Sequence, residues 1–335
     1  RAKATTVKFQ LFKPDQIASA KTPLANYQRE NGVAHDSQLE MLGEYILDHA
    51  SLKALQQKAR ELGLQFLVTP FDLESLRFLK TELQLDRVKV ASGDLTFHQL
   101  IFEAARLGLD LIISTGMATK EEVDRAIDVA LMGRGIFTGA LSGMFKPSKQ
   151  VSQEVRSALD TLKSCSPGWL TIMHCTSTYP APDVDLNIQA IRDLQELWPV
   201  VGYSDHSPDP HGAVMALALG SRIFEKHITL SKALPGPDHA ASLDVDEFSG
   251  YVDVLQKSLR SLGSGAKVPQ TSEIQTLPLA RRSLYARKDI KRGEIFTSEN
   301  LIALRPIQGI ASEEYFDLIG KLASKSYAVG DSIDA

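Results

Sequence analysis

Two rhythms of apolar residues alternate along the chain. Short apolar runs occupy 5–10 (TTVKFQ), 64–69 (LQFLVT), 87–91 (RVKVA), 109–114 (LDLIIS), 169–174 (WLTIMH), 200–204 (VVGYS) and 222–228 (RIFEKHI). Their length and branched content predict strands. Between them, over 36–62, 74–84, 96–107, 120–132, 187–197 and 211–220, apolar positions recur every three or four residues, the spacing of one helix face. Strand followed by helix, repeated, predicts parallel βα units and so an α/β fold. Seven strands are legible, and the first stands almost at the start of the chain. Eight such units close a TIM (β/α)8 barrel, so the expectation is a barrel whose first βα unit precedes Arg1. An open doubly wound sheet is the alternative that periodicity leaves standing.

Two stretches break the rhythm. The segment 131–166 lengthens one βα unit and carries GRGIFTGALSGMFKPSK, which reads as an inserted loop. From 264 to 281 Gly, Pro, Ser and Thr accumulate (SGAKVPQTSEIQTLPL over 264–279), which reads as a linker. The expected organisation is a barrel over 1–263, the linker 264–281 and a compact, β-rich tail over 282–335. In that tail Lys291-Arg292-Gly293 and Val329-Gly330-Asp331 mark tight turns.

Composition changes the picture by exclusion. With 37 Lys+Arg against 41 Asp+Glu the net charge is −4, which gives no basic footprint for nucleic acid. No apolar run approaches the roughly 20 residues of a membrane helix. Cys165 and Cys175 are the two cysteines of the chain, too few for a disulfide scaffold and compatible with a reducing cytoplasm. No nucleic-acid or membrane partner is therefore expected, and the expected location is the cytoplasm.

The chemistry collects where the strands end. In a barrel the C-terminal strand ends form the reactive face. Those ends carry Lys8, Gln10, Thr69, Lys89, Ser92, Ser114, Thr115, His174, Ser204, Asp205, His206 and His227. Strand alternation turns Lys8 and Gln10 into the mouth if Val7 and Phe9 face the helices. A lysine directed inward needs an anion, because a buried unpaired ammonium is strongly disfavoured. A substrate phosphate or carboxylate supplies one, and pairing with Asp72 or Asp94 is the structural alternative. His206 and His227 end neighbouring strands, close enough to share a cation. Without clustered cysteines or carboxylates, an open site for Mn2+, Mg2+ or a similar ion fits better than a closed zinc site. His174 reads as packing or as support behind the site residues, His239 lies in a turn-rich loop that can face the site, and His35, His49, His98 and His211 read as residues at helix starts or on helices.

The strings VKFQLFKPDQ, TPFDLES, VKVASGD, ISTGMA, HCTSTYPAP, GYSDHS, EKHITL and PGPDHAASLDVDEF occur in that order, followed by ARRSLYARKDIKRGEIFTSENLIALRP. Together they resemble the sialic acid synthase family, which includes N-acetylneuraminate, legionaminic and pseudaminic acid synthases. The resemblance spans essentially the whole chain, and its tail is similar to the family's antifreeze-like SAF module. It implies metal-dependent condensation of phosphoenolpyruvate with an N-acetylmannosamine-type sugar, with Mn2+ as the expected ion and Mg2+ or Co2+ as substitutes.

It further implies that Lys8, Thr69, Lys89, Ser92, Ser114 and Ser204 bind phosphoenolpyruvate. Gln10, Tyr179 and Asp238 lie near the sugar, and His206 and His227 hold the metal. Arg305 reaches the sugar's N-acetyl group in a homodimer that exchanges SAF modules between subunits. Without the resemblance Arg305 reads as an exposed basic residue beside Pro306. Asp94 stands where many members carry Glu, and Ser177 where neuraminate-forming bacterial enzymes carry Asn. The family's first strand, with its acidic residue, is expected ahead of Arg1. PGPDHAAS resembles the neuraminate and legionaminate loop more than the pseudaminate one. A zinc hydrolase on a barrel lacks the His-x-His it needs, and a non-catalytic carbohydrate binder has no use for inward lysines and paired histidines.

Overall fold

Seven parallel strands carry the first part of the chain among the residues described in the computed structural model, which are 2–24, 29, 35–135 and 167–334. They are β1 (Thr6–Leu11), β2 (Gln65–Pro70), β3 (Arg87–Val90), β4 (Asp110–Ser114), β5 (Leu170–Cys175), β6 (Val201–Asp205) and β7 (Phe224–Lys226). The helices are α1 (Pro14–Ile17), α2 (Gln38–Glu44), α3 (His49–Glu61), α4 (Leu73–Thr81), α5 (His98–Arg106), α6 (Lys120–Gly133), α7 (Ala190–Leu197), α8 (His211–Ala218) and α9 (Val245–Leu262). β1 pairs with β2, and β3 to β7 form a ladder in sequence order, every pairing parallel. β2 also packs beside β3. A flat sheet of seven strands would hold its edge strands roughly 29 Å apart. Here Lys8 Nζ of β1 lies 2.8 Å from Glu225 Oε2 of β7, so the sheet curls into a TIM-type barrel. An open doubly wound sheet is excluded by that contact.

Alternation decides the two faces. Val68, Val88, Val90, Leu111, Ile113, Ile172 and Tyr203 turn outward and join Leu52, Leu76, Leu100, Ile101, Ile127 and Ile191 of the helices in the main core. Leu67, Ile112 and Met173 turn inward and form a small apolar floor inside the curl. Local grammar starts the helices. The Asp72 carboxylate accepts from Ser75 N at 2.7 Å at the head of α4, and Thr119 with Glu122 forms a capping box at the head of α6. Gly133 ends α6 where a Cβ would strike the Phe102 carbonyl of α5, so the two helices close to backbone contact.

Two elements differ from the periodic reading. The single helix expected over 36–62 is two helices, because the Asp48 side chain accepts from Ser51 N at 2.7 Å and starts a new one. The strand expected over 222–228 keeps three residues. Arg222 turns back to bond the Leu217 and Ser221 carbonyls, and Ile228 bridges to Leu243 instead of continuing the ladder. Of the inserted loop at 131–166, residues 136–166 lie outside the described residues.

The chain divides into compact units Arg1–Gly263 and Ser264–Ala335. In the second, β8 (Ser283–Ala286) and β9 (Leu301–Leu304) pair antiparallel over a core of Leu284, Ile290, Phe296, Leu301, Tyr327 and Ile333. Gly293 and Gly330, at the two expected tight turns, take φ of 80° and 87°. Among the described residues no helix is long and apolar enough to cross a membrane.

Candidate active site

Above the apolar floor the inward positions become charged. The Lys89 ammonium, 2% exposed as a residue, donates to Ser114 Oγ at 2.5 Å and lies 3.5 Å from Glu225 Oε1. Lys8 approaches the other oxygen of the same carboxylate, and Ser204, in register with Glu225, donates to its Oε1 at 2.8 Å. Two ammonium groups thus share one carboxylate, and the cluster keeps an excess positive charge. Burial pulls Lys89 down to about 8, with Glu225 opposing that fall. Burial by itself would raise Glu225, but Lys89 and Lys8 outweigh it and hold the carboxyl below the usual carboxylate range.

The structural alternative offered by the sequence, an acidic partner at Asp72 or Asp94, is corrected. Neither Asp72 nor Asp94 pairs with the inward lysines. Asp72 is consumed at the head of α4, where Ser75 N and Oγ and Lys13 N donate to it. The counter-ion is Glu225, which the sequence reading passed over. Its signal was available, since it stands two positions before His227 in EKHI and so shares that residue's face.

Hydroxyls line the next arc. Ser92 Oγ accepts from Gly116 N at 3.0 Å, which ties the exit of β3 to that of β4. A Cβ on Gly116 would collide with the hydroxyls of Ser177 and Ser92, so this turn needs glycine. Thr69 Oγ1 and Asp94 Oδ2 are buried polar atoms without a protein partner. Such atoms are costly unless a ligand or solvent meets them. Burial raises the Asp94 carboxyl to about 6.

The two histidines meet as expected. The His206 and His227 rings cross edge to face with centroids 5.3 Å apart, and the Tyr179 ring lies 4.1 Å from the first and 5.2 Å from the second. His206 Nδ1 donates its N–H to the Thr176 carbonyl at 2.7 Å, which leaves Nε2 as the ring nitrogen facing a ligand. His227 is lowered to about 3, first by burial and further by the nearby Lys8 ammonium, so its imidazole is neutral. Asp238 Oδ2 stands 3.8 Å from His227 Nδ1, and burial raises its carboxyl. Two adjoining imidazoles, one anchored through its N–H on a carbonyl, are a donor set that fits two positions of a divalent ion. Among the described residues no group of three or more His, Cys, Asp or Glu forms a closed cage.

Cys175, one residue beyond His174, brings its Sγ to 3.6 Å from His206 Nδ1, a contact the sequence reading missed. His174 itself is packing: Nε2 meets the Leu186 carbonyl at 2.7 Å and the ring stacks on Tyr203. His239 bonds Thr229 Oγ1 at 2.7 Å. Gln10, in register with Thr69, is exposed on the rim. Arg305 is exposed in the second unit, beside Pro306.

A curled parallel barrel with two lysines sharing one carboxylate and an imidazole pair at the strand exits is the frame in which likenesses to known proteins fall. The chain matches the NeuB family over residues 1–267 and the SAF domain over 281–335. It is 36% identical to the N,N'-diacetyllegionaminic acid synthase of Campylobacter jejuni over 325 residues, 97% of this chain and 88% of that protein. It is 34% identical to the enzyme of the same name from Legionella pneumophila, over 98% of this chain and 85% of that one. A solved structure of N-acetylneuraminic acid (sialic acid) synthetase from Leptospira borgpetersenii superposes with a TM-score of 0.63 at 25% identity, covering 82% of this chain and 80% of that one. The chain belongs to the NeuB family, the family of sialic, legionaminic and pseudaminic acid synthases.

Proposed function

We propose that the protein condenses phosphoenolpyruvate with N-acetylmannosamine, or a related 2-acetamido sugar, to a nine-carbon 2-keto acid, water adding at C2 to supply its keto oxygen as phosphate leaves by C–O cleavage. The observation that carries this reading is the cluster of Lys8, Lys89 and Glu225 with its excess positive charge, seated beside the His206–His227 pair. A trianionic enol phosphate suits that charge, and its carboxylate and phosphate suit the hydroxyls of Thr69, Ser92, Ser114 and Ser204. In this reading His206 and His227 hold a divalent cation, Mn2+ first and Mg2+ or Co2+ as substitutes. Bound there, such an ion supplies Lewis-acid polarisation of the sugar aldehyde.

The chain's own residues do the rest. Lys8 and Lys89 bind and orient the enol phosphate so that its C3 faces the aldehyde carbon, and they offset charge as it moves during bond formation. Gln10, Tyr179 and Asp238 border the sugar, with Ser177 at the position that reads its substituents. Asp94 Oδ2 is assigned the proton exchanged with a substrate hydroxyl, since a carboxyl near 6 exchanges protons readily at neutral pH. The reading includes a second copy of the chain whose SAF module brings Arg305 to this mouth. In support, Met117, Val184 and Leu230, on three different strand-exit loops, hold apolar side chains in solvent, with exposures of 75%, 90% and 85%. A cytoplasmic setting suits these substrates.

A second reading is a legionaminic acid synthase using 2,4-diacetamido-2,4,6-trideoxymannose. One observation favours it: the relatives at 36% and 34% identity carry that name, and the resemblance adds that Ser177 stands where neuraminate-forming bacterial enzymes carry Asn. The two sugars, offered separately with phosphoenolpyruvate and Mn2+, distinguish the readings by kcat/KM for keto-acid formation. The first reading expects the higher value with N-acetylmannosamine, and preference for the diacetamido sugar selects the second. No keto acid with either sugar overturns both.

A further inference from the structure

Directly behind the imidazole pair, on the opposite face of the same strands, lies a buried polar group that no step above uses. Asp205 precedes His206 at the end of β6, Lys226 precedes His227 at the end of β7, and the two are in register. Strand alternation turns them away from the barrel interior and toward α9. Asp205 is completely buried. Its Oδ1 lies 3.4 Å from Lys226 Nζ and accepts from Ser207 N at 2.9 Å and from Ser207 Oγ at 2.6 Å. Its Oδ2 accepts from the Tyr251 hydroxyl of α9 at 2.9 Å. The Lys226 ammonium also donates to the Ser207 carbonyl and stands 5.6 Å from the centroid of the Tyr251 ring. Both carboxylate oxygens are met by hydrogen bonds and the ammonium by a carbonyl and the carboxylate, the kind of added bonding that makes a buried pair tolerable.

Taking His206 and His227 as ligands of a divalent cation, as proposed above, we infer that Asp205, Lys226 and Tyr251 form a positioning lock for that pair. The lock touches neither cation nor substrate. It fixes the two strand ends relative to each other, and so fixes the separation and tilt of the imidazoles one residue further on. The inward side supplies a second fixing point, since the His206 carbonyl accepts from Ala181 N at 2.9 Å and the His227 carbonyl from Leu243 N at 3.1 Å. Between these points each histidine has little backbone freedom left. Tyr251 is the member of the lock drawn from a helix, so α9 is coupled to ligand geometry through one hydroxyl. Burial, reinforced by Asp205, raises the Tyr251 hydroxyl far above its ordinary range, so the donor persists at every working pH.

Tyr251→Phe removes that hydroxyl and leaves the ring and the ion pair in place. Mn2+ binding to the full chain, measured without substrates from the electron paramagnetic resonance of free Mn2+, is the test. The expected result is affinity weakened about 10- to 100-fold, the usual effect of losing an outer partner of a metal ligand. The Mn2+ concentration for half-maximal activity rises in parallel, and kcat returns toward the native value at saturating Mn2+. A merely structural role lowers the melting temperature and leaves Mn2+ affinity unchanged in the folded fraction, and that outcome overturns the lock. If Tyr251→Phe does not fold, Ser207→Ala removes the Oγ donor to the same carboxylate, and native Mn2+ affinity in that variant overturns the lock. Failure of the native chain to bind Mn2+, or unchanged binding by His206→Ala, overturns the ligand reading and the lock together. Binding that His206→Ala abolishes and Tyr251→Phe leaves intact overturns the lock alone.

Discussion

Lys89→Met is expected to lower kcat/KM for phosphoenolpyruvate by about 10³-fold, the upper end of what one preorganised donor to a developing charge contributes. The side chain is buried, donates to Ser114 Oγ at 2.5 Å and shares Glu225 with Lys8. Its loss cancels the excess positive charge, because Lys8 and Glu225 then neutralise each other. The substrate's phosphate and carboxylate would enter a low-dielectric mouth with no net countercharge. The pH profile separates this cause from misfolding. Burial holds Lys89 at about 8, so it is charged below that pH and loses its charge as pH rises through it. Since kcat/KM reports groups of the free enzyme, the native profile should fall on the alkaline side near pH 8. Lys89→Arg keeps the charge at all working pH, so it should retain part of the activity and lose that alkaline limb. An alkaline limb unchanged in Lys89→Arg contradicts the assignment.

His206→Ala and His227→Ala are each expected to reduce kcat by at least about 10²-fold and to abolish the response to added divalent cation, since a Lewis acid at the carbonyl contributes several kcal/mol. The control is His174→Ala. That ring is held by the Leu186 carbonyl at 2.7 Å and stacks on Tyr203, so its loss should cost stability and leave metal dependence in place. Titration of activity with Mn2+ after chelation checks all three variants. Metal dependence that survives in either His206→Ala or His227→Ala removes those residues as ligands.

The barrel was legible because its strands obey one rule: apolar along the run and polar at the exit. Lys8, Lys89, His206 and His227 follow it, and the structure brings all four to one mouth. Glu225 was not legible as their counter-ion. A search among strand exits favours acids that lie near the lysines in sequence, whereas the curl of the sheet brings β7 against β1, far apart in the chain. Asp72, one of the two acids named as the structural alternative, begins the local string DLES, in which an acid followed three residues later by Ser forms a helix cap. The break between α2 and α3 was masked because Ile46 and Leu47 carry the apolar period across it. The lock behind the histidines was invisible for a related reason. Asp205 and Lys226 each read as polar strand ends, and only their register, with Tyr251 arriving from a distant helix, makes them one buried group. In the second unit the turns were readable from glycine, while its core draws Ile290, Phe296, Tyr327 and Ile333 from irregular segments with no period to follow.

Phosphoenolpyruvate carrying heavy oxygen in the bridge between C2 and phosphorus, incubated with the protein, Mn2+ and the preferred sugar, tests the central claim most directly. Mass spectrometry of both products follows the label. Condensation with C–O cleavage predicts a nine-carbon keto acid formed in equal amount with phosphate, and the label in the phosphate. Label retained in the keto acid, or phosphate released with no keto acid formed, would contradict the account.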